Sequence, residues 1–260
     1  MQALLNTAIQ AARRAGDTAA GYFNRADRLD IRTKDRNEFV TQVDEAAEEL
    51  IISTIRERYP DHAFLAEERG AQGNSDHIWI IDPLDGTTNF IHGFPVFAVS
   101  IALQVRGQLE AGVVYDPMRQ ELFTAMRGRG AQLEGRRIRA TSRSSLDGTL
   151  IGTGFPYRAN AKWMDDYLGM MKRVLDNTAG IRRPGAAALD LAYVAAGRLD
   201  GFWEFGLQPW DLAAGALMIQ EAGGLISELH DAGDFLETGN VCAGSPKVHD
   251  ALKKLLINPD

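Results

Sequence analysis

A single cysteine, Cys242, is all that the chain holds, so no internal disulfide can form and the fold must rest on its core. Zinc-ligand spacing is missing as well, since the five histidines are scattered at 62, 77, 92, 230 and 249. No stretch reaches the roughly 18 uninterrupted apolar residues that a transmembrane helix needs, and no membrane partner is expected. Basic charge is not in excess: 28 Lys and Arg face 35 Asp and Glu, giving a net charge of -7 and a pI near 5.3. Nucleic-acid binding requires a basic face, so small molecules or proteins are the expected partners and direct nucleic-acid contact is not. Repeats, low-complexity tracts and linkers do not occur. The opening "MQALLNTAIQAARRAGDTAAGYF" has neither a basic segment before an apolar core nor a cleavage pattern, which makes it part of the fold and the cytoplasm the expected compartment.

What is present is 260 residues of ordinary globular composition, 45% apolar and 24% charged, enough for a substantial core. One domain over 1–260 is expected, built as two halves that meet near 140–150. Leu5, Ala8, Ala12, Ala15, Ala19 and Tyr22 mark one face of a first helix; Val43, Ala46, Ala47, Leu50, Ile51 and Ile55 mark a second that ends near Tyr59-Pro60. "RTKDRNEF" between them reads as a polar loop. From 78 to 126 the period shortens to that of strands and predicts an antiparallel meander. The second half alternates: "GTLIGTGF" as strand, helices over 161–175 and 186–197, "DGFWEF" as strand, a helix over 210–222, "GGLISEL" as strand, and a last helix capped by Ser245-Pro246. An α+β fold of layered helices and mostly antiparallel sheet fits this order.

The stretch "IWIIDPLDGTTNF" carries the chemistry. Asp-Pro and Asp-Gly are turn dipeptides, and "VVYDPMR" shows what a turn alone looks like, with Asp116-Pro117 but no second acid and no Gly-Thr. At 82–88, Pro83 stiffens the exit from the strand and holds Asp82 and Asp85 on one side of a short loop. Gly86 permits close backbone approach, and its amide with those of Thr87 and Thr88 can face an anion. Carboxylates beside an anion site imply cations between them, and hard oxygen ligands suit Mg²⁺ or Mn²⁺. Two further acidic spots join the set: Glu67-Glu68 at the end of "AFLAEERG", and Asp211 in the first turn of a helix dense in small residues. An unpaired carboxylate at such a crowded helix start would be expensive. Glu67, Asp82, Asp85 and Asp211 in one pocket would repel strongly unless protonated or bridged by metal.

"IDPLDGTTNF", the "EE" about 15 residues upstream and "WDLAAGALMIQEAGG" near 210 resemble the signature motifs of the inositol monophosphatase family. "FAVSIAL" and "RRPGAAALDLAYVAAGRLDGFWEFGLQPWD" look most like its bacterial SuhB-type inositol-1-monophosphatases. The resemblance covers essentially the whole chain. It implies an αβαβα layered sandwich, usually homodimeric, and a lithium-sensitive, Mg²⁺-dependent phosphomonoesterase that hydrolyses inositol 1-phosphate with metal-activated water. Carried over by position, Glu67, Asp82 and the Leu84 carbonyl hold a first metal. Asp82, Asp85 and Asp211 hold a second, and Glu67 with waters a third. Thr87 pairs with Asp44, and with Glu67 the two orient the attacking water. The phosphate and polyol positions match Asp85, Gly86, Thr87, Gly185, Ala186, Ala187, Glu204 and Asp211, with Arg183 facing substrate or a dimer partner. A serine that some animal members offer the substrate has no clear counterpart in "GTGFPYRAN". Lys34 and Arg36 either screen the third metal or are solvated.

Relatives acting on fructose 1,6-bisphosphate, histidinol phosphate, NADP or 3'-phosphoadenosine 5'-phosphate are the alternative substrate classes; no aromatic or basic excess near the motifs favours a nucleotide. A regulatory role with the transcription machinery is the alternative of a different kind. "DAGD" at 231–234 lacks the loop length and terminal glutamate of an EF-hand, and neither "GTGF" nor "RGRGA" makes a nucleotide loop. Phe202, Trp203 and Phe205 read as core.

Overall fold

The computed structural model describes residues 1–23, 31–35, 38–156, 162–230 and 233–257, with backbone alone for 31–35 and 38–40. Its elements in chain order are α1 (Gln2–Phe23), β1 (Ile31–Asp35), β2 (Glu38–Thr41), α2 (Gln42–Arg56), β3 (Ala63–Ala66), β4 (Gly70–Gln72), β5 (His77–Asp85) and α3 (Thr87–Ile91). Then come β6 (Ala98–Val105), β7 (Gln108–Asp116), β8 (Glu121–Met126), β9 (Gly130–Leu133), β10 (Arg136–Arg137) and β11 (Leu150–Thr153). The chain continues through α4 (Met164–Asn177), β12 (Gly180–Arg182), α5 (Ala187–Ala195), β13 (Gly201–Glu204) and α6 (Pro209–Glu221). It ends with β14 (Leu225–Glu228), α7 (Phe235–Thr238), β15 (Val241–Gly244) and α8 (Pro246–Ile257).

Strand alternation sorts the apolar side chains to two sides of a large sheet ordered β10-β9-β8-β7-β6-β5-β3-β4. Trp79, Ile81, Ile101, Leu103, Val113 and Tyr115 face α1 and α2. Ile80, Ala102 and Val114 point the other way, to α5 and α6. The far side of α5 and α6 meets a second sheet, ordered β12-β11-β13-β15-β14, through Phe202, Ile226 and Ala243. Trp203, Cys242 and Ile151 leave that sheet toward α4 and α8. The order helices, sheet, helices, sheet, helices is the expected αβαβα sandwich. Small residues let the middle layer come close: a Cβ on Gly112 of β7 would lie 3.1 Å from the Ala214 backbone, and one on Gly215 would overlap Leu191 of α5.

The meander is antiparallel from β5 to β8 as the alternation predicts, but the second sheet is mixed. Strand β11 runs parallel to both β12 and β13, because each is reached by a crossover that carries a helix or a long connection. The expected polar loop after α1 contains a backbone-paired hairpin, β1 with β2, Ile31 opposite Thr41. Lys34 lies on β1, while Arg36 lies outside the described residues. Pro246 does open the last helix, yet Ser245 makes no side-chain cap: its Oγ is buried with no hydrogen-bond partner. Asp231 falls outside the described residues, and Asp234 of "DAGD" is the N-cap of α7, accepting from the Leu236 amide at 2.8 Å. Among the described residues no helix is long and apolar enough to cross a membrane.

Candidate active site

Asp82 and Asp85 are an odd number of residues apart, so a regular strand would aim them at opposite faces. A bulge prevents this. Asp82 lies opposite Ser100 and Asp85 opposite Ala98, three residues of β5 against two of β6, and the extra residue returns Asp85 to the side of Asp82. Pro83 sits inside the bulge, where a missing N–H breaks no ladder bond. The Asp82 Oδ1 accepts from the Leu84 amide at 2.9 Å. That bond is the same local turn made by the control Asp116, whose Oδ1 takes the Met118 and Arg119 amides at 2.9 Å each. The backbone turn is thus shared by both Asp-Pro sites; the bulge and the second acid belong to one.

The other acids arrive from neighbouring elements. Ser100, opposite Asp82, donates its hydroxyl to the Trp210 carbonyl at 3.1 Å, which pins the start of α6 to β6 and brings Asp211 beside the pair. Asp211 stands third in the helix and accepts from the Gln208 amide at 2.7 Å, so it is both a helix-start acid and a member of the cluster. Carboxylate oxygens of Asp82, Asp85 and Asp211 lie within 4.8 Å of one another, close enough to hold a metal ion together. Glu67 follows β3, which runs parallel to β5. Its amide donates to the Ile81 carbonyl at 3.1 Å, which sets it level with Asp82.

Burial raises the Asp82 carboxyl well above the carboxylate range, and the charges of Glu67, Asp85 and Asp211 raise it further. Asp85 is pushed up to about 7, chiefly by burial, against the opposing pull of the Ala188 amide, which donates to its Oδ2 at 2.7 Å. Three converging acids, of which Asp82 and Asp85 resist ionisation, are what a divalent cation would relieve, and oxygen is their only donor type. The residues present therefore fit Mg²⁺ or Mn²⁺.

Asp44 and Thr87 meet. The fully buried Asp44 caps α2 through its Oδ2, which accepts from the Thr41 amide at 2.8 Å and the Thr41 hydroxyl at 2.6 Å. Its Oδ1 lies 3.0 Å from the Thr87 Oγ1, which is also 3.0 Å from the Leu84 carbonyl. Burial raises the Asp44 carboxyl and these hydrogen bonds oppose the rise. Gly86 takes φ 95° at the start of α3, a conformation open to glycine, and a Cβ there would lie 2.9 Å from the Val96 carbonyl.

On the opposite wall, Gly185, Ala186 and Ala187 form the entry to α5. The amides of Ala187, Ala188 and Leu189 all lower the Asp85 carboxyl, so this helix start holds one acid of the cluster in place. Asn89 ties the entry to α3, its Nδ2 donating to the carbonyls of Val96 at 2.8 Å and Pro184 at 2.9 Å. Glu204 ends β13. Its carboxyl is pushed up to about 8 by burial, then by Asp211 and Asp85, while Arg183 pulls it down. Arg183 itself lies over the Phe155 ring, 5.1 Å from the centroid.

Three positions escaped the sequence reading. Glu48, fully buried on α2, accepts from the Glu68 amide at 2.8 Å and so holds the turn that carries Glu67. An acid on an otherwise apolar helical stripe, four residues after Asp44, was the available signal. Asn89 carried no signal outside the motif. Asp190, 1% exposed on α5 with an Oδ1 that has no hydrogen-bond partner, is raised well above the usual range by burial and then by Glu204 and Asp85.

Known proteins resemble the chain over nearly its whole length. The chain is 54% identical over 257 residues to the Nus factor SuhB of Pseudomonas aeruginosa, covering 97% of this chain and 95% of that protein. It is 46% identical over 259 residues to an inositol-1-monophosphatase of Mesorhizobium japonicum, covering 99% and 97%. The crystal structure of the extragenic suppressor protein suhB from Bartonella henselae superposes with a TM-score of 0.96 at 43% identity, covering 99% of this chain and all of that one. The inositol monophosphatase family model matches residues 1–258, and with the acid cluster in its expected strand-and-helix setting this chain belongs to the inositol monophosphatase family.

Proposed function

We propose that the chain is a Mg²⁺-dependent phosphomonoesterase that hydrolyses inositol 1-phosphate to inositol and phosphate. The observation that carries this reading is the convergence of Asp82, Asp85 and Asp211 within 4.8 Å, with the buried Asp44 accepting from Thr87 on the loop that carries the first two. Glu67, Asp82 and the Leu84 carbonyl would hold one ion; Asp82, Asp85 and Asp211 a second; Glu67 contributes to a looser third. When bound, two such ions neutralise charge on the entering and leaving oxygens and acidify water.

The chain supplies the rest. Thr87 Oγ1 passes its one proton to Asp44 Oδ1 and offers its lone pairs to the attacking water, so a proton can leave that water through Thr87 to Asp44. Glu67 orients the same water. Gly86 and Thr87 sit where the first-turn amides of α3 have no intrahelical acceptor and can meet the phosphate. Arg183, Gly185, Ala186, Ala187 and Glu204 take the leaving polyol, Asp85 and Asp211 reaching it from the metal side.

Phosphate release from inositol 1-phosphate, fructose 1,6-bisphosphate and 3'-phosphoadenosine 5'-phosphate, each with Mg²⁺ and with EDTA, tests the reading. Inositol 1-phosphate is expected to be hydrolysed fastest, and only with Mg²⁺. Equal release in EDTA, or none from inositol 1-phosphate, would sink it. The relatives named as Nus factors favour a second reading, in which the same cytoplasmic chain, as a homodimer, also binds a protein of the transcription machinery. Light scattering should then give twice the 28.5 kDa of one chain, and capture from a bacterial lysate should enrich transcription proteins; a monomer, or a capture free of them, removes that reading.

A further inference from the structure

The stretch Gly152-Thr153-Gly154 has a purpose that no nucleotide loop would give it. Strand β11 runs parallel to β13 with Gly152 opposite Phe202 and Thr153 opposite Trp203. The next step sets Gly154 beside Glu204, and alternation puts both glycines on the face of Phe202 and Glu204. Space on that face is taken. A Cβ at 152 would lie 2.8 Å from Leu199 Cδ1 and 3.1 Å from Phe202 Cδ2, and a Cβ at 154 would overlap Cδ and both carboxylate oxygens of Glu204. Gly154 has no left-handed backbone to explain it; the constraint is the carboxylate lying across its Cα.

Neither strand can move aside. The Thr153 hydroxyl donates to the Trp203 carbonyl at 2.8 Å and lies 3.0 Å from the Tyr167 hydroxyl, clamping β11 between β13 and α4. Glu204 is itself paired with Val241 on the other side. Any side chain at 154 therefore has to be relieved by turning the Glu204 carboxylate away from Asp85, Asp211 and Arg183.

We propose that Gly154 is a positioning residue for the polyol: its bare Cα is the floor that holds the Glu204 carboxylate toward hydroxyls of the leaving group. The inference rests on the functional reading above and deepens it. Two carboxylate oxygens can accept from two neighbouring hydroxyls, so the site selects phosphate esters of polyols over esters whose leaving group has no hydroxyl. A site built to accept such hydroxyls loses discrimination when the acceptor is displaced.

The test measures kcat and KM with Mg²⁺ for inositol 1-phosphate and for p-nitrophenyl phosphate, in wild type, Gly154→Ala, Glu204→Ala and the double variant. Gly154→Ala is expected to raise KM for inositol 1-phosphate about 10- to 100-fold, to affect p-nitrophenyl phosphate far less, and to add nothing once Glu204 is alanine. An unchanged KM, an equal loss on both substrates, or additive losses would overturn it. Should Gly154→Ala alone fail to fold, thermal melts decide: the double variant, relieved of the overlap, folds if the assignment holds and stays unfolded if it does not. A wild type silent on inositol 1-phosphate removes the functional reading, whereas an active wild type whose Gly154→Ala variant keeps its KM removes only this inference.

Discussion

Asparagine at position 85 lowers kcat/KM for inositol 1-phosphate by about 10³-fold or more, a loss of about 4 kcal/mol of transition-state stabilisation. The side chain keeps its shape, and its carbonyl oxygen can still accept from the Ala188 amide as the carboxylate does at 2.7 Å. What disappears is one of three charges that converge within 4.8 Å. The same change has the opposite effect on stability in EDTA. Burial, and after it the charge of Glu67, hold the Asp85 carboxyl up to about 7 against the pull of the α5 amides, so in the folded chain its ionisation is opposed. An acid with a raised folded pKa costs stability as pH rises from its unfolded value through its folded one, and above that range asparagine removes the cost. Thermal melts at pH 8 in EDTA should therefore place Asp85→Asn at or above wild type, while added Mg²⁺ should raise the melting temperature of wild type and not of the variant. A variant that kept a tenth of wild-type activity, or that melted lower without metal, would contradict this account of the cluster.

The acids themselves could be read from the chain because a second acid and a following Gly-Thr set "DPLDG" apart from the plain turn of "YDPMR". Their convergence could not. It depends on a bulge that reverses the facing of Asp85 and on one hydroxyl, Ser100, that anchors α6 across the layer; both are pairings between segments far apart in sequence. The helices were visible wherever a face was apolar at helical spacing, as on α1 and α2. The small sheet was harder: β12 is three residues, Gly180–Arg182, too short to alternate, and its parallel partner is set by a crossover. Gly154 drew no functional reading for a related reason. A glycine forced by a neighbouring strand's side chain carries no mark of that side chain in its own sequence.

Asp44→Asn is expected to separate the proton-accepting part proposed for this carboxylate from its structural one. In wild type the Oδ2 is committed to the Thr41 amide and hydroxyl, and the Oδ1 faces Thr87. In Asp44→Asn the carbonyl oxygen is held by Thr41, which supplies two donors, so the new NH₂ must point at Thr87. Thr87 Oγ1 then accepts from position 44 and gives its proton to the Leu84 carbonyl, already 3.0 Å away. The amide oxygen, one N–H and the Thr87 hydroxyl all keep partners, so the fall in melting temperature should be small. The proton path is nonetheless reversed, since Thr87 can no longer pass a proton to residue 44. Loss of such a proton acceptor lowers kcat about 10²- to 10⁴-fold, with KM little changed. Thr87→Val should lose as much activity and, by leaving the buried Oδ1 without its donor, about 1–3 kcal/mol of stability as well; Thr87→Ser should recover most of both. Because the two residues act as one unit, Thr87→Val in the Asp44→Asn background should reduce kcat little further. Full activity in Asp44→Asn, or multiplicative losses in the double variant, would mean that the pair only braces the loop and that the water gives its proton elsewhere.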